Sequence, residues 1–243
     1  MARSLLEILA EFVEKPPAHI GVAVIHLASA TEREPIIAEM IRAFNCQIDI
    51  FPAVNGAEEI AAGHPTLCAA ESGKIRTAGE IGCLLSHVNL ARKALREGRS
   101  HLIVFEDDCG LAPNFSLEAV ENYLRSVKEI TKSFSLKSSD EFLLLGTCGC
   151  YTWRHLNRLV KATNNFNGSH CYLIDRAMME KLVGSYEYLL RKNMTIPVDG
   201  LISLLLRAQH RWALCPENEG GLFIQNRAIP SYILGDGKSL RNE

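Results

Sequence analysis

Residues 4 to 14 place Leu5, Leu6, Ile8, Leu9, Phe12 and Val13 at helical spacing, and Pro16-Pro17 closes the run. Gly21-Val22-Ala23-Val24-Ile25-His26-Leu27 is nearly all apolar and predicts a first core strand. A helix from Glu32 to Phe44 follows, with Ile36, Ile37, Met40 and Ile41 on its inner face, and Ile48 to Phe51 is a second strand that leaves through the turn Pro52-Ala53-Val54-Asn55-Gly56. Strand, helix and strand at this spacing make a βαβ unit, hence a parallel sheet with a right-handed crossover. Ala57 to Lys74 has no clear period and reads as loop with one short helix. Thr77-Ala78-Gly79-Glu80 has the spacing of a capping box, after which Ile81, Leu84, Leu85, Val88 and Leu95 form one stripe that Gly98 ends. Strands are predicted at Leu102–Phe105, Phe142–Gly146 and Cys171–Ile174, and helices over 115–131, from Arg176 to Arg191 and from Pro197-Val198-Asp199-Gly200 through Leu206. The tail from Trp212 to Leu234 reads as loop more than element. With no repeat and no linker, the simplest account is an N-terminal helical extension over 1–20 and one α/β domain over 21–243, its mostly parallel central sheet flanked by helices.

Composition narrows the function. Of 243 residues, 47% are hydrophobic and 22% charged, as in ordinary globular proteins. A net charge of −2 leaves no basic field for nucleic acid, and Arg92, Lys93, Arg96 and Arg99 read as the solvated face of a helix. The eight cysteines are scattered, and Cys148-Gly149-Cys150 lacks a second pair at zinc-site spacing, so they read as buried thiols of a reducing compartment. Acid residues break the first apolar run before it resembles a secretory signal, and no stretch is long enough to span a bilayer, so a cytoplasmic location is expected. The stripe over residues 4–14 can dock on the domain, on a partner subunit or peripherally on a membrane; lacking a strongly basic face, it is expected to pack against protein.

The chemistry centres on His101-Leu102-Ile103-Val104-Phe105-Glu106-Asp107-Asp108. A short buried strand runs straight into three carboxylates, which repel one another and are costly to keep dry and unpaired. A hard divalent cation removes that cost and can bridge to a diphosphate; a solvated turn or a helix cap is the plainer alternative. In open α/β sheets such strand ends are where ligands sit.

Several blocks together resemble glycosyltransferase family 25. Ile25-His26-Leu27 with Arg33, and Ala53-Val54-Asn55-Gly56, are similar to its opening strand and A-V-D-G turn; Gly79-Glu80-Ile81-Gly82-Cys83-Leu84-Leu85-Ser86-His87 is similar to its G-E-I-G-C-x-x-S-H block. Phe105-Glu106-Asp107-Asp108, Gly168-Ser169-His170-Cys171-Tyr172-Leu173-Ile174 and Pro197-Val198-Asp199 follow in the family's order, and Pro216, Gln225 and Ser231 resemble its C-terminal pattern. His26 stands where the family has Asn, and Asn55 where it has Asp.

The resemblance implies a GT-A-like nucleotide-sugar-binding domain. The implied activity is metal-dependent, inverting transfer of a hexose, often galactose, from a UDP-sugar to a glycan acceptor such as lipopolysaccharide. It implies Mn²⁺ or Mg²⁺ on Asp108, with Glu106 near the ribose or on the metal, His170 completing the metal shell or serving structure alone, and Asp107 orienting the other two. Glu80 is implied at the nucleotide or only in its capping box, and His87 at the diphosphate or sugar or only in a buried network, with Ser86 a lesser polar contact. Asp199 is the implied general base, against an N-cap for a helix beginning at Gly200; Gln225 and Arg227 are implied near phosphate. Two other classes stay open: a non-catalytic sugar-nucleotide or glycan binder, and a metal-dependent nucleotidyltransferase, for which no Gly-rich phosphate loop is found.

Overall fold

Consecutive residues of the inner strands all lie in apolar surroundings, because the sheet they build is covered on both faces. The computed structural model describes residues 3–67, 76–134, 142–146, 149–216 and 222–225, with the backbone alone at 133–134 and 149–153. The first helix, α1 (Leu5–Val13), begins at a capping box in which Ser4 accepts from the Glu7 N–H and the Glu7 carboxylate reaches back to Ser4. Strand β1 (Ile20–His26), helix α2 (Glu34–Phe44) and strand β2 (Asp49–Pro52) form the predicted unit, with β1 and β2 parallel. The short helix α3 (Gly56–Ala61) and the long α4 (Ala78–Arg96) precede β3 (His101–Glu106), which lies parallel to β1 on its other side. After it come β4 (Cys109–Leu111), α5 (Leu117–Phe134), β5 (Phe142–Gly146), β6 (Gly149–His155), β7 (Val160–Asn167) and β8 (Cys171–Asp175). Helices α6 (Arg176–Arg191) and α7 (Val198–Ala208) lead to β9 (Ala213–Pro216) and β10 (Phe223–Gln225).

The main sheet has the order β2-β1-β3-β8-β5-β9-β7-β6. Only β7 and β8 run against the common direction, so the sheet is mostly parallel by orientation, as expected. Strand alternation sorts its side chains into two cores. Ala23, Leu102, Val104, Leu144, Tyr172 and Ile174 face α4, α6 and α7. Val22, Val24, Ile103, Phe105, Leu143 and Leu173 face α1, α2 and α5. The stripe of α1 therefore packs on protein, with Leu5, Ile8 and Leu9 buried beside α5 and β1, and Arg3 and Lys128 pair with Glu121 and Glu14 around its rim.

The structure adds two features that the pattern did not announce and corrects one expectation. Residues 149–167 form the hairpin β6–β7, which the pattern did not announce because alternation there is broken by Asn and Thr and by register shifts. Within the tail, Ala213-Leu214-Cys215-Pro216 is a fully buried strand between β5 and β7, too short for its period to stand out. Ile41 is 38% exposed, and Phe44 takes the inward position one turn on. Arg227, Ser231 and Cys148 lie outside the described residues.

Candidate active site

The alternation of β3 continues past its last apolar residue and separates the three carboxylates. Val104 faces α4, Phe105 faces α2 and α5, and Glu106 faces α4 again. Its Oε1 accepts from His87 Nε2 at 3.2 Å and lies 3.5 Å from the Ser169 hydroxyl. Because an ionised carboxylate only accepts, His87 donates to it through Nε2, and its Nδ1 lies 2.7 Å from the Tyr172 hydroxyl. His87 is thus both in a buried network and on the cavity wall.

Asp107 turns toward the end of β1. One oxygen accepts from the Leu27 N–H at 3.1 Å and from His26 Nδ1 at 3.0 Å, and the other takes the Arg33 guanidinium. Asp107 and Arg33 are both buried, so this ion pair locks the β1 end to the turn preceding α2. The His26 departure from the family pattern sits inside that lock.

Asp108 is buried, with one oxygen accepting from Gln225 Nε2 at 3.1 Å and the other, Oδ1, lacking any hydrogen-bond partner among the described residues. Antiparallel pairing of β10 with β4, Gln225 opposite Cys109, brings the C-terminal segment to the acidic run. Burial, reinforced by the neighbouring Glu106 charge, pushes the Asp108 carboxyl up to about 7. Burial presses Glu106 the same way, but the His87 hydrogen bond and the charges of His87, His170 and Arg33 outweigh it and hold Glu106 below the ordinary carboxylate value. The two carboxyls are pushed in opposite directions and titrate as a coupled pair.

These groups line one end of a cavity of about 340 Å³, walled by Leu27, the Val54–Ala57 turn and the first turns of α4, including Gly79 and Cys83. The turn is pinned by Ser86, whose Oγ accepts from the Val54 N–H and donates to the Gly82 carbonyl. Asn55 caps α3 by accepting from the Ala57 N–H. Backbone meets backbone at Gly56, where a Cβ would lie 1.7 Å from the Ala78 carbonyl oxygen. Gly56→Ala is expected to cost roughly 1–3 kcal/mol or more, read as a lower denaturant midpoint, because neither helix backbone can yield.

Glu80 forms the predicted capping box with Thr77 and also accepts from Arg76 Nη1 at 2.8 Å. His170 is buried, with Nε2 directed at the Phe223 carbonyl at 3.4 Å and against Gly146. Asp199 is not an N-cap: α7 starts at Val198, and the carboxylate accepts from the Gly200 N–H at 2.7 Å and the Gly168 N–H at 3.2 Å. Burial raises its pKa against those two hydrogen bonds, with Glu106 adding to the rise. Two residues escaped the sequence reading as site members. Arg33 and Cys83 were legible only as members of the resembling blocks, Cys83 also through its i, i+4 relation to His87.

Structures of UDP-glucose pyrophosphorylase, without ligand and with UDP-glucose, align with 89% of this chain and 78% and 79% of theirs, at 9% and 10% identity. Their TM-score of 0.39 is too low to speak for fold or activity. Two relatives named probable inactive glycosyltransferase 25 family member 3, from Rattus norvegicus and Bos taurus, are each 41% identical over 44 residues. That stretch is 18% of this chain and 8% and 7% of theirs. The broad match is to the model of glycosyltransferase family 25 (LPS biosynthesis protein) over residues 19–202, and with most of its length covered the chain belongs to that family.

Proposed function

We propose that this protein is a metal-dependent, inverting glycosyltransferase of GT-A type that moves a hexose from a UDP-sugar to a glycan hydroxyl, with lipopolysaccharide the favoured acceptor class. Family membership supports the transferase reading. The observation that carries the site is Asp108: a buried carboxyl beside Glu106, at the end of the cavity, with one oxygen that no described group satisfies. Two adjoining carboxylates with an unmet acceptor are the donor chemistry of a hard cation, so Asp108 and Glu106 fit Mn²⁺ or Mg²⁺. Bound there, the metal supplies positive charge against which a departing UDP is stabilised.

The remaining work falls to the chain. His87, held by Tyr172, fixes the Glu106 carboxylate, while the buried Arg33–Asp107 pair holds the β1 end that walls the cavity. Gln225 orients Asp108. The first turn of α4, its cap completed by Thr77 and Glu80, and the Val54–Ala57 turn form the nucleotide wall. Asp199 takes the proton of the acceptor hydroxyl as that oxygen attacks the anomeric carbon, and burial strengthens it as a base. His170 supports the site through the Phe223 carbonyl.

The test is calorimetric titration of UDP into the protein with manganese and then with a chelator. Binding in manganese that the chelator removes is expected, and Asp108→Asn should weaken it by at least about 10–100-fold. Unchanged affinity in Asp108→Asn would take Asp108 out of the metal site. The variant also has a metal-free readout. The folded carboxyl is pushed up to about 7 while an unfolded one titrates at its ordinary 3.8, so wild-type stability falls as pH rises between those values. Above pH 7, metal-free Asp108→Asn should melt above wild type.

A further inference from the structure

The cavity wall holds a second set of donors that the transferase reading does not use together. Cys83 and His87 lie one turn apart on α4, and the end of β3 brings Glu106 against them, so that one ligand atom from each lies within 4.8 Å of the others. Thiol, imidazole and carboxylate are not the donors of a hard cation, which takes oxygen; they are those of a borderline ion such as Zn²⁺. We infer that Cys83 Sγ, His87 Nε2 and a Glu106 carboxylate oxygen form a binding site for a divalent cation of the zinc class, with a fourth position open to the cavity.

Several features of the site suit such an ion. Cys83 is half-buried, carries no disulfide and lines the cavity, so the ion has a way in. Three protein ligands with one open position are the pattern of an accessible zinc centre. Tyr172 stands 2.7 Å from His87 Nδ1; with the imidazole proton moved to that nitrogen, its oxygen becomes the acceptor that orients the ring while Nε2 turns its lone pair on the ion. The Glu106 carboxylate, 3.2 Å from Nε2, needs only side-chain adjustment to share the same ion. The thiol gives its proton to solvent on binding. Burial and the carboxylates of Glu106, Asp199, Asp108 and Glu80 otherwise hold that thiol protonated, a field that a dication reverses.

The inference does not rest on the transferase reading, but it has a consequence for it. Glu106 belongs to both sets, so a zinc-class ion competes with the hard cation.

Cobalt(II) is the probe, because a thiolate ligand gives it a near-ultraviolet charge-transfer band that oxygen and nitrogen ligands do not. Wild-type protein should show the band, and zinc should abolish it. Cys83→Ser, checked for an unchanged melt, should lack the band and bind zinc at least about 10–100-fold more weakly. Asp108→Asn should keep the band while losing manganese-dependent UDP binding, which separates this site from the hard-cation site. In wild type, zinc should also slow alkylation of Cys83, read by peptide mass spectrometry, an arm that needs no variant. A cobalt complex without the band, a band that survives in Cys83→Ser, loss of the band in Asp108→Asn, or alkylation of Cys83 indifferent to zinc would each overturn the assignment. Failure of UDP to bind in manganese would leave these readouts intact and would count against the transferase reading alone.

Discussion

Asp199→Asn is expected to lower sugar transfer by about 10²–10⁴-fold, the range of a lost general base, while leaving UDP affinity in manganese unchanged. The amide keeps one carbonyl oxygen and loses the other acceptor. It can hold the Gly200 N–H, at 2.7 Å in the wild type, but presents a donor to the Gly168 N–H. The structural cost is therefore about one hydrogen bond, roughly 1 kcal/mol, far smaller than the rate effect. Steady-state kinetics with a saturating UDP-sugar, run beside calorimetry and a thermal melt, separate the two. Near-normal turnover would leave Asp199 as the strut that ties the start of α7 to the β7–β8 turn, and the base would have to be another residue.

The largest stability effect is expected at Asp107→Asn. Asp107 and Arg33 are each only 7% exposed at the side chain, and the carboxylate also gathers the Leu27 N–H and His26 Nδ1. An amide leaves the Arg33 guanidinium buried without its anion, a change that costs about 3–5 kcal/mol. For a chain of this size that is a fall in Tm on the order of 10 °C. Adding Arg33→Met should recover part of the loss, since removing both charges is much cheaper than removing one. A single-variant melt within about 1 °C of wild type would mean that water reaches the pair and screens it.

The acidic run shows how far the residues alone could be read. Glu106, Asp107 and Asp108 are equivalent as a sequence: three carboxylates after a buried strand. In the fold they point to three environments, Glu106 to His87 on α4, Asp107 to Arg33 before α2, and Asp108 to Gln225 on β10. Two of those partners lie far along the chain from the run, and no spacing rule reaches them. Glu80 is the opposite case. Its capping box is local, and the structure reproduces it with Thr77 as the sequence required.

The elements follow the same division. The helices α1, α2, α4, α6 and α7 and the strands β1, β3, β5 and β8 were legible, because each carries a periodic or continuous apolar signal long enough to stand above its neighbours. Strands β9 and β10 and the hairpin β6–β7 were not. They are strands because β5 and β4 offer them edges, so their identity resides in pairing more than in pattern. By itself, then, the sequence determined the α/β alternation, the caps and the position of the acidic run at a strand end, all matters of near neighbours and side-chain period. Only the tertiary structure decided which carboxylate is ion-paired, which holds its charge and which is left with an unmet oxygen. Those properties depend on burial and on partners contributed by other elements, and the chain acquires both only when the sheet closes around the site.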